Sequence, residues 1–95
     1  MRLAARKDEG QADLVADLRK LRFQVKVLND TPDLIVRIPF SGHIILLEVD
    51  GVTKNRKRSG AQLDFLHEWN IPRVTTLDEA LHAIEDYCSE IARLR

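Results

Sequence analysis

Apolar residues recur at three-and-four spacing in the 8–21 segment, where Leu14, Val15, Leu18 and Leu21 line one side of a predicted helix. Next, Phe23-Gln24-Val25-Lys26-Val27 alternates apolar and polar positions, the two-residue period of a strand with one wet face. The pattern then changes. In Leu34-Ile35-Val36 and again in Ile44-Ile45-Leu46-Leu47 the apolar residues are consecutive, so both faces of each strand are apolar and a sheet covered on both sides is predicted. Pro39-Phe40-Ser41-Gly42 lies between the two runs and folds the 34–49 segment into a hairpin.

Ser59-Gly60-Ala61-Gln62 has the form of a capping box and opens a helix through Leu63, Leu66 and Trp69. Asn70-Ile71-Pro72 ends it, and a short strand is predicted over 71–75. Thr76-Leu77-Asp78-Glu79 supplies a second capping box. Leu81, Ile84, Cys88, Ile91 and Leu94 then continue at helical spacing. The order αβββαβα predicts one domain over 1–95, an α/β layer with a mixed sheet flanked by helices.

Composition changes this picture only at a few points. No stretch approaches the ~20 apolar residues of a membrane span, and the Met1 to Ala5 start is too short for a secretory signal, so a cytoplasmic location is expected. The single Cys88 forms no intramolecular disulfide and no zinc spacing; it is expected as a small core residue of the last helix. Fifteen basic residues balance fifteen acidic ones, which argues against non-specific coating of nucleic acid. One local exception stands out: Lys54-Asn55-Arg56-Lys57-Arg58 carries four cations in five residues, enough to neutralise several phosphates. Aromatic content of 5% leaves little for base stacking, so recognition of backbone and shape is expected.

The candidate chemistry lies at the outer ends of the hairpin. Folding about Phe40 and Ser41 sets Asp33 opposite Glu48. Opposed residues in an antiparallel pair have Cβ atoms about 4.5–5.5 Å apart. Two unit charges ~5 Å apart repel by on the order of 3 kcal/mol at an effective dielectric of ~20, so a cation between them is expected. Strand alternation puts Glu48 and Asp50 on one face, and the register adds Asp33, a set of hard oxygen donors suited to Mg²⁺ or Mn²⁺. The plainer alternative makes Asp33 a turn residue after Pro32 and Asp50-Gly51 a turn dipeptide. Likewise, Glu9 and Gln11 open a helix whose N-terminus favours acidic groups, and Gln62 is the N3 member of a capping box. His43, His67 and His82 do not cluster and are expected at the surface, and Trp69 is expected to pack at a helix end. No Ser-His-Asp set, phosphate-cradling glycine loop or dinucleotide fingerprint is present.

A Pro-Asp pair, an apolar strand, a turn and a second apolar strand ending in Glu resembles the PD-(D/E)xK nuclease superfamily, and more narrowly the small phage-type VRR-NUC nucleases. The likeness spans most of the chain: Arg6-Lys7-Asp8-Glu9-Gly10-Gln11-Ala12-Asp13 resembles that family's first helix. Asn55-Arg56-Lys57-Arg58-Ser59 resembles its basic loop, and Ala61-Gln62-Leu63-Asp64-Phe65 its third-motif helix. Arg73-Val74-Thr75-Thr76-Leu77-Asp78-Glu79-Ala80-Leu81 resembles its closing strand and helix.

The resemblance implies a restriction-endonuclease-like core and a metal-dependent DNA endonuclease, phage or bacterial, acting as a homodimer on branched DNA such as four-way junctions. Asp33, Glu48, Asp50 and Gln62 fall at its catalytic positions. Asp33, Glu48 and the Val49 carbonyl would hold Mg²⁺ or Mn²⁺, with Glu9 as an outer ligand, or Gln11 in its place. Gln62 would hydrogen-bond a metal-bound water or a phosphate. Lys54, Arg56, Lys57, Arg58 and Gln11 would touch DNA. One position departs from the pattern: Asp50 stands where the family has a lysine that orients the attacking water and offsets phosphate charge, although some restriction enzymes carry an acidic or amide residue there. Lys54 or Lys57 reaching back is one remedy. Two further readings are a nuclease fold that binds DNA without cutting it, and a protein-interaction domain built on the amphipathic last helix.

Overall fold

The computed structural model describes residues 9–50 and 58–94. Its elements follow the expected order: α1 (Glu9–Lys20), β1 (Gln24–Val27), β2 (Leu34–Arg37), β3 (Ile44–Val49), α2 (Gly60–Glu68), β4 (Arg73–Val74) and α3 (Leu77–Leu94). The protein is a mixed α/β fold with one four-stranded sheet in the order β1-β2-β3-β4.

The hairpin register runs Leu34↔Leu47, Ile35↔Leu46, Val36↔Ile45 and Arg37↔Ile44. Its turn is closed by the Ile38 N–H donating to the His43 carbonyl and the Gly42 N–H donating to the Ile38 carbonyl, both at 2.8 Å. Gly42 has φ +78°, and a Cβ there would lie 3.2 Å from the Arg37 guanidinium, so a side chain would be both strained and crowded. β1 adds to β2 antiparallel, with Val25 opposite Val36. β4 joins the other edge parallel to β3, Glu48 opposite Arg73 and Val49 opposite Val74, which requires the crossover that α2 supplies.

Strand alternation sorts the side chains. Leu34, Val36, Ile45, Leu47 and Val49 share one face and are buried with Leu14, Val15 and Leu18 of α1 and Ala80 and Ile84 of α3. The opposite face carries Ile35, Leu46 and Ile44, and it is less covered than the consecutive apolar runs predict. Ile35 and Leu46 are half-buried, and Ile44 is 54% exposed. The reason is sparse cover: α2 starts at the Glu48 end and packs only lightly on the strands, and an open cavity between Ile44, Leu46, Trp69 and Ile71 remains at its far end.

α3 corrects a second expectation. Its inward stripe runs through Ala80, Ile84 and Tyr87 with Ile91 half-buried, and Cys88 falls at the edge of that stripe, exposed rather than buried; Leu94 at the helix end is 78% exposed. His43, His67 and His82 are exposed, as expected. Trp69 is 65% exposed and rests against the Phe65 ring. Among the described residues, no helix is long and apolar enough to cross a membrane.

Candidate functional site

Extending the hairpin register one step past Leu34↔Leu47 sets Asp33 against Glu48, and each side chain reaches the backbone of the opposite segment there. Both are buried: Asp33 is 4% exposed and Glu48 0%. Their contacts form a reciprocal clamp. The Asp33 N–H donates to Glu48 Oε1 (3.1 Å), and the Val49 N–H donates to Asp33 Oδ2 (2.8 Å). Each carboxylate therefore fixes the backbone of the other strand, and the pair is rigid before any ligand arrives. Thr31 and Pro32, joined by a cis peptide bond, lead into this position.

A cation closes the site from the far side. Arg58 lies just before Ser59, the N-cap of α2, and its guanidinium Nε donates to Glu48 Oε2 at 2.5 Å. Its Nη2 donates to the Val49 carbonyl (3.2 Å) and pairs with Asp50 Oδ1 (2.8 Å). Asp50 is held on its other side by Arg73, whose Nε donates to Oδ2 at 3.0 Å. Within this group, three carboxylates stand against two guanidinium groups. The Arg58 side chain is only 9% exposed, so this end of the basic run faces inward.

Gln62 occupies its structural position. Its Oε1 accepts from the Ser59 N–H (2.8 Å) and the Gln62 N–H donates to Ser59 Oγ (3.1 Å), completing the capping box. Its Nε2 donates to Thr31 Oγ1 (2.9 Å), tying α2 to the loop that carries Asp33. Thr31, Asp33 and Gln62 line a cleft of about 680 Å³ with Gln11, Arg19 and Asn29. Gln11 is thus brought to the site. Glu9 opens α1, but its side chain lies outside the described residues, as do Lys54, Arg56 and Lys57.

The structure therefore unites Asp33, Glu48, Val49, Asp50 and Arg58, with Gln62 and Gln11 on the adjoining cleft. Asp50 shares the patch through Arg58, held between two arginines. Among the described residues, no group of three or more His, Cys, Asp or Glu could hold a metal ion. The donor set is instead two carboxylates and a backbone carbonyl. These are hard oxygens, the donor chemistry that Mg²⁺ or Mn²⁺ takes, and Glu48 Oε2 and the Val49 carbonyl already accept from one cationic side chain.

Sequence reasoning assigned Arg58 to DNA rather than to the acids, and it missed Arg73. Arg58 reads as one member of a basic run, and only its place next to the Ser59 cap hints that it is fixed. Arg73 reaches Asp50 through the parallel β3–β4 pairing, for which the chain has no local signal. Comparison with protein-family models, curated proteins and solved structures gives no match to this chain.

Proposed function

We propose that this protein is a metal-dependent DNA endonuclease with a restriction-endonuclease-like core, cutting branched DNA such as four-way junctions as a homodimer in a phage or bacterial cytoplasm. The observation that carries this reading is the clamped, buried Asp33–Glu48 pair, with Glu48 Oε2 and the Val49 carbonyl aimed at one cation. Burying two acidic groups is expensive, and an apolar pair would serve stability better, so a chemical use is the economical explanation. A bound Mg²⁺ or Mn²⁺ supplies an activated water and stabilises charge on the scissile phosphate.

In this reading Asp33, Glu48 and the Val49 carbonyl hold the ion, with Glu9 or Gln11 at its outer side. The clamp keeps both carboxylates in place. Gln11 offers an amide to a phosphate entering the cleft, while Gln62 braces the cleft wall through Ser59 and Thr31, and Lys54, Arg56 and Lys57 grip neighbouring phosphates. Two copies related by a two-fold axis would cut two strands of a junction.

The test is cleavage of linear, flapped and four-way DNA with and without Mn²⁺. Nicking of the junction that requires Mn²⁺ and disappears in Asp33→Ala and Glu48→Ala is the expected result. Unchanged cleavage in both variants refutes the assignment. A second reading, a DNA-binding module without hydrolysis, is favoured by Asp50: its carboxylate lies between Arg58 and Arg73, where the motif would have a lysine. It predicts salt-dependent junction binding and no cleavage.

A further inference from the structure

We propose that Arg58 is a resident cation at the acid pair, which a divalent metal must displace in order to bind. The inference rests on the endonuclease reading and adds a control on its metal site. Arg58 makes its two strongest contacts with Glu48 Oε2 and Asp50 Oδ1 and a third with the Val49 carbonyl. Two of these three oxygens are the ones assigned to the metal. Metal–oxygen bonds to Mg²⁺ are about 2.0–2.1 Å long. An ion bridging Glu48 Oε2 and the Val49 carbonyl would take the side of these oxygens that the guanidinium now holds, and the two positive charges repel. Both cannot hold Glu48 Oε2 and the Val49 carbonyl together.

Local structure lets the arginine leave without disturbing the fold. Arg58 precedes the Ser59 cap, and the helix start is fixed by Ser59 and Gln62 rather than by Arg58. The long side chain rotates while the backbone stays in place. Asp50, anchored by Arg73, gives the guanidinium a partner that is no metal ligand in this assignment, so the displaced group stays near the site. Without metal, Arg58 keeps the buried Glu48 charge paired. With metal, the guanidinium is released beside the place where a phosphate would enter.

Two measurements on the full chain decide it. Mn²⁺ is titrated calorimetrically into wild type and Arg58→Gln, the variant being checked for native circular dichroism. Removing the competitor should tighten binding about tenfold or more, equivalent to ~1.4 kcal/mol per decade. In wild type, the Arg58 Nε–H resonance is followed during a Mg²⁺ titration. It should move from a hydrogen-bonded position toward that of free arginine in step with saturation, a readout that stands even if Arg58→Gln does not fold. Equal or weaker Mn²⁺ binding in the variant, or an Nε–H signal unmoved at Mg²⁺ saturation, overturns the competition while leaving the hydrolase reading intact. Absence of Mn²⁺ and Mg²⁺ binding in every form removes both.

Discussion

Glu48→Gln is the sharpest probe of the site's geometry. The wild-type carboxylate is fully buried and accepts from two directions, Oε1 from the Asp33 N–H and Oε2 from the Arg58 Nε–H. An amide has one acceptor oxygen and one NH₂ group. Whichever way it is turned, it sets the NH₂ against a donor, so one hydrogen bond becomes a repulsion and the charge is lost as well. Breaking a buried ion pair from one side costs about 3–5 kcal/mol. Here Arg58 keeps Asp50 at 2.8 Å and the Val49 carbonyl at 3.2 Å, so its charge is not stranded. The loss then falls toward that of a charge-assisted hydrogen bond, and about 2 kcal/mol is expected.

For a domain of this size, 1 kcal/mol moves Tm by roughly 4–8 °C, so a fall of about 8–16 °C follows. Urea denaturation of wild type, Glu48→Gln, Arg58→Gln and the double variant completes the cycle. Removing the guanidinium first relieves the amide of its clash, so the two effects should be less than additive by about 1 kcal/mol or more. A Glu48→Gln loss under about 0.5 kcal/mol, or strict additivity, would show that the two side chains do not meet as described.

Asp33→Ala removes the acceptor of the buried Val49 N–H and should destabilise by about 1–3 kcal/mol, whereas Asp33→Asn keeps an oxygen for that bond and should lose clearly less. Equal urea midpoints for the two variants would count against the clamp. Asp50→Lys restores the motif lysine but sets a third cation beside Arg58 and Arg73. Like charges ~4 Å apart repel by about 1–4 kcal/mol depending on screening, and a swinging lysine escapes part of this, so a loss of about 1–2 kcal/mol and no gain in junction cleavage are expected. A fully stable, more active Asp50→Lys would show that the arginines do not converge on position 50.

The hairpin was readable because its information is local. Two apolar runs around one turn fix the pairing, and the period of two then decides which residues share a face, so opposing Asp33 and Glu48 required no tertiary knowledge. Ile44 and Cys88 misled for a common reason. An apolar residue in phase with a strand or helix is legible as facing a layer, but how closely that layer packs depends on the placement of other elements. α2 packs too lightly to cover Ile44, and Cys88 falls at the edge of the α3 stripe that Ala80, Ile84 and Tyr87 turn to the core. Gln62 is a different case: its sequence allowed a cap or a ligand, and the observed hydrogen bonds occupy both ends of the amide in the capping role and the link to Thr31. Arg58 and Arg73 lay beyond reading, because a loop closure and a parallel register bring them to the acids.

Asp50 and Arg58 are best understood together. Glu48 is wholly buried, so some positive group must face it whenever no metal does. Under the proposed nuclease reading, a lysine two residues after the glutamate would stand near that place. Here that position, just past β3, holds a carboxylate, and the positive charge arrives from the start of α2. Arg73 anchors Asp50, Asp50 pairs with the incoming guanidinium, and a lysine at position 50 would repel it. Under that reading, an aspartate at position 50 goes with a relocated charge rather than a lost one. A positive group at the acid pair, not the residue number from which it comes, is the feature by which such sites should be compared.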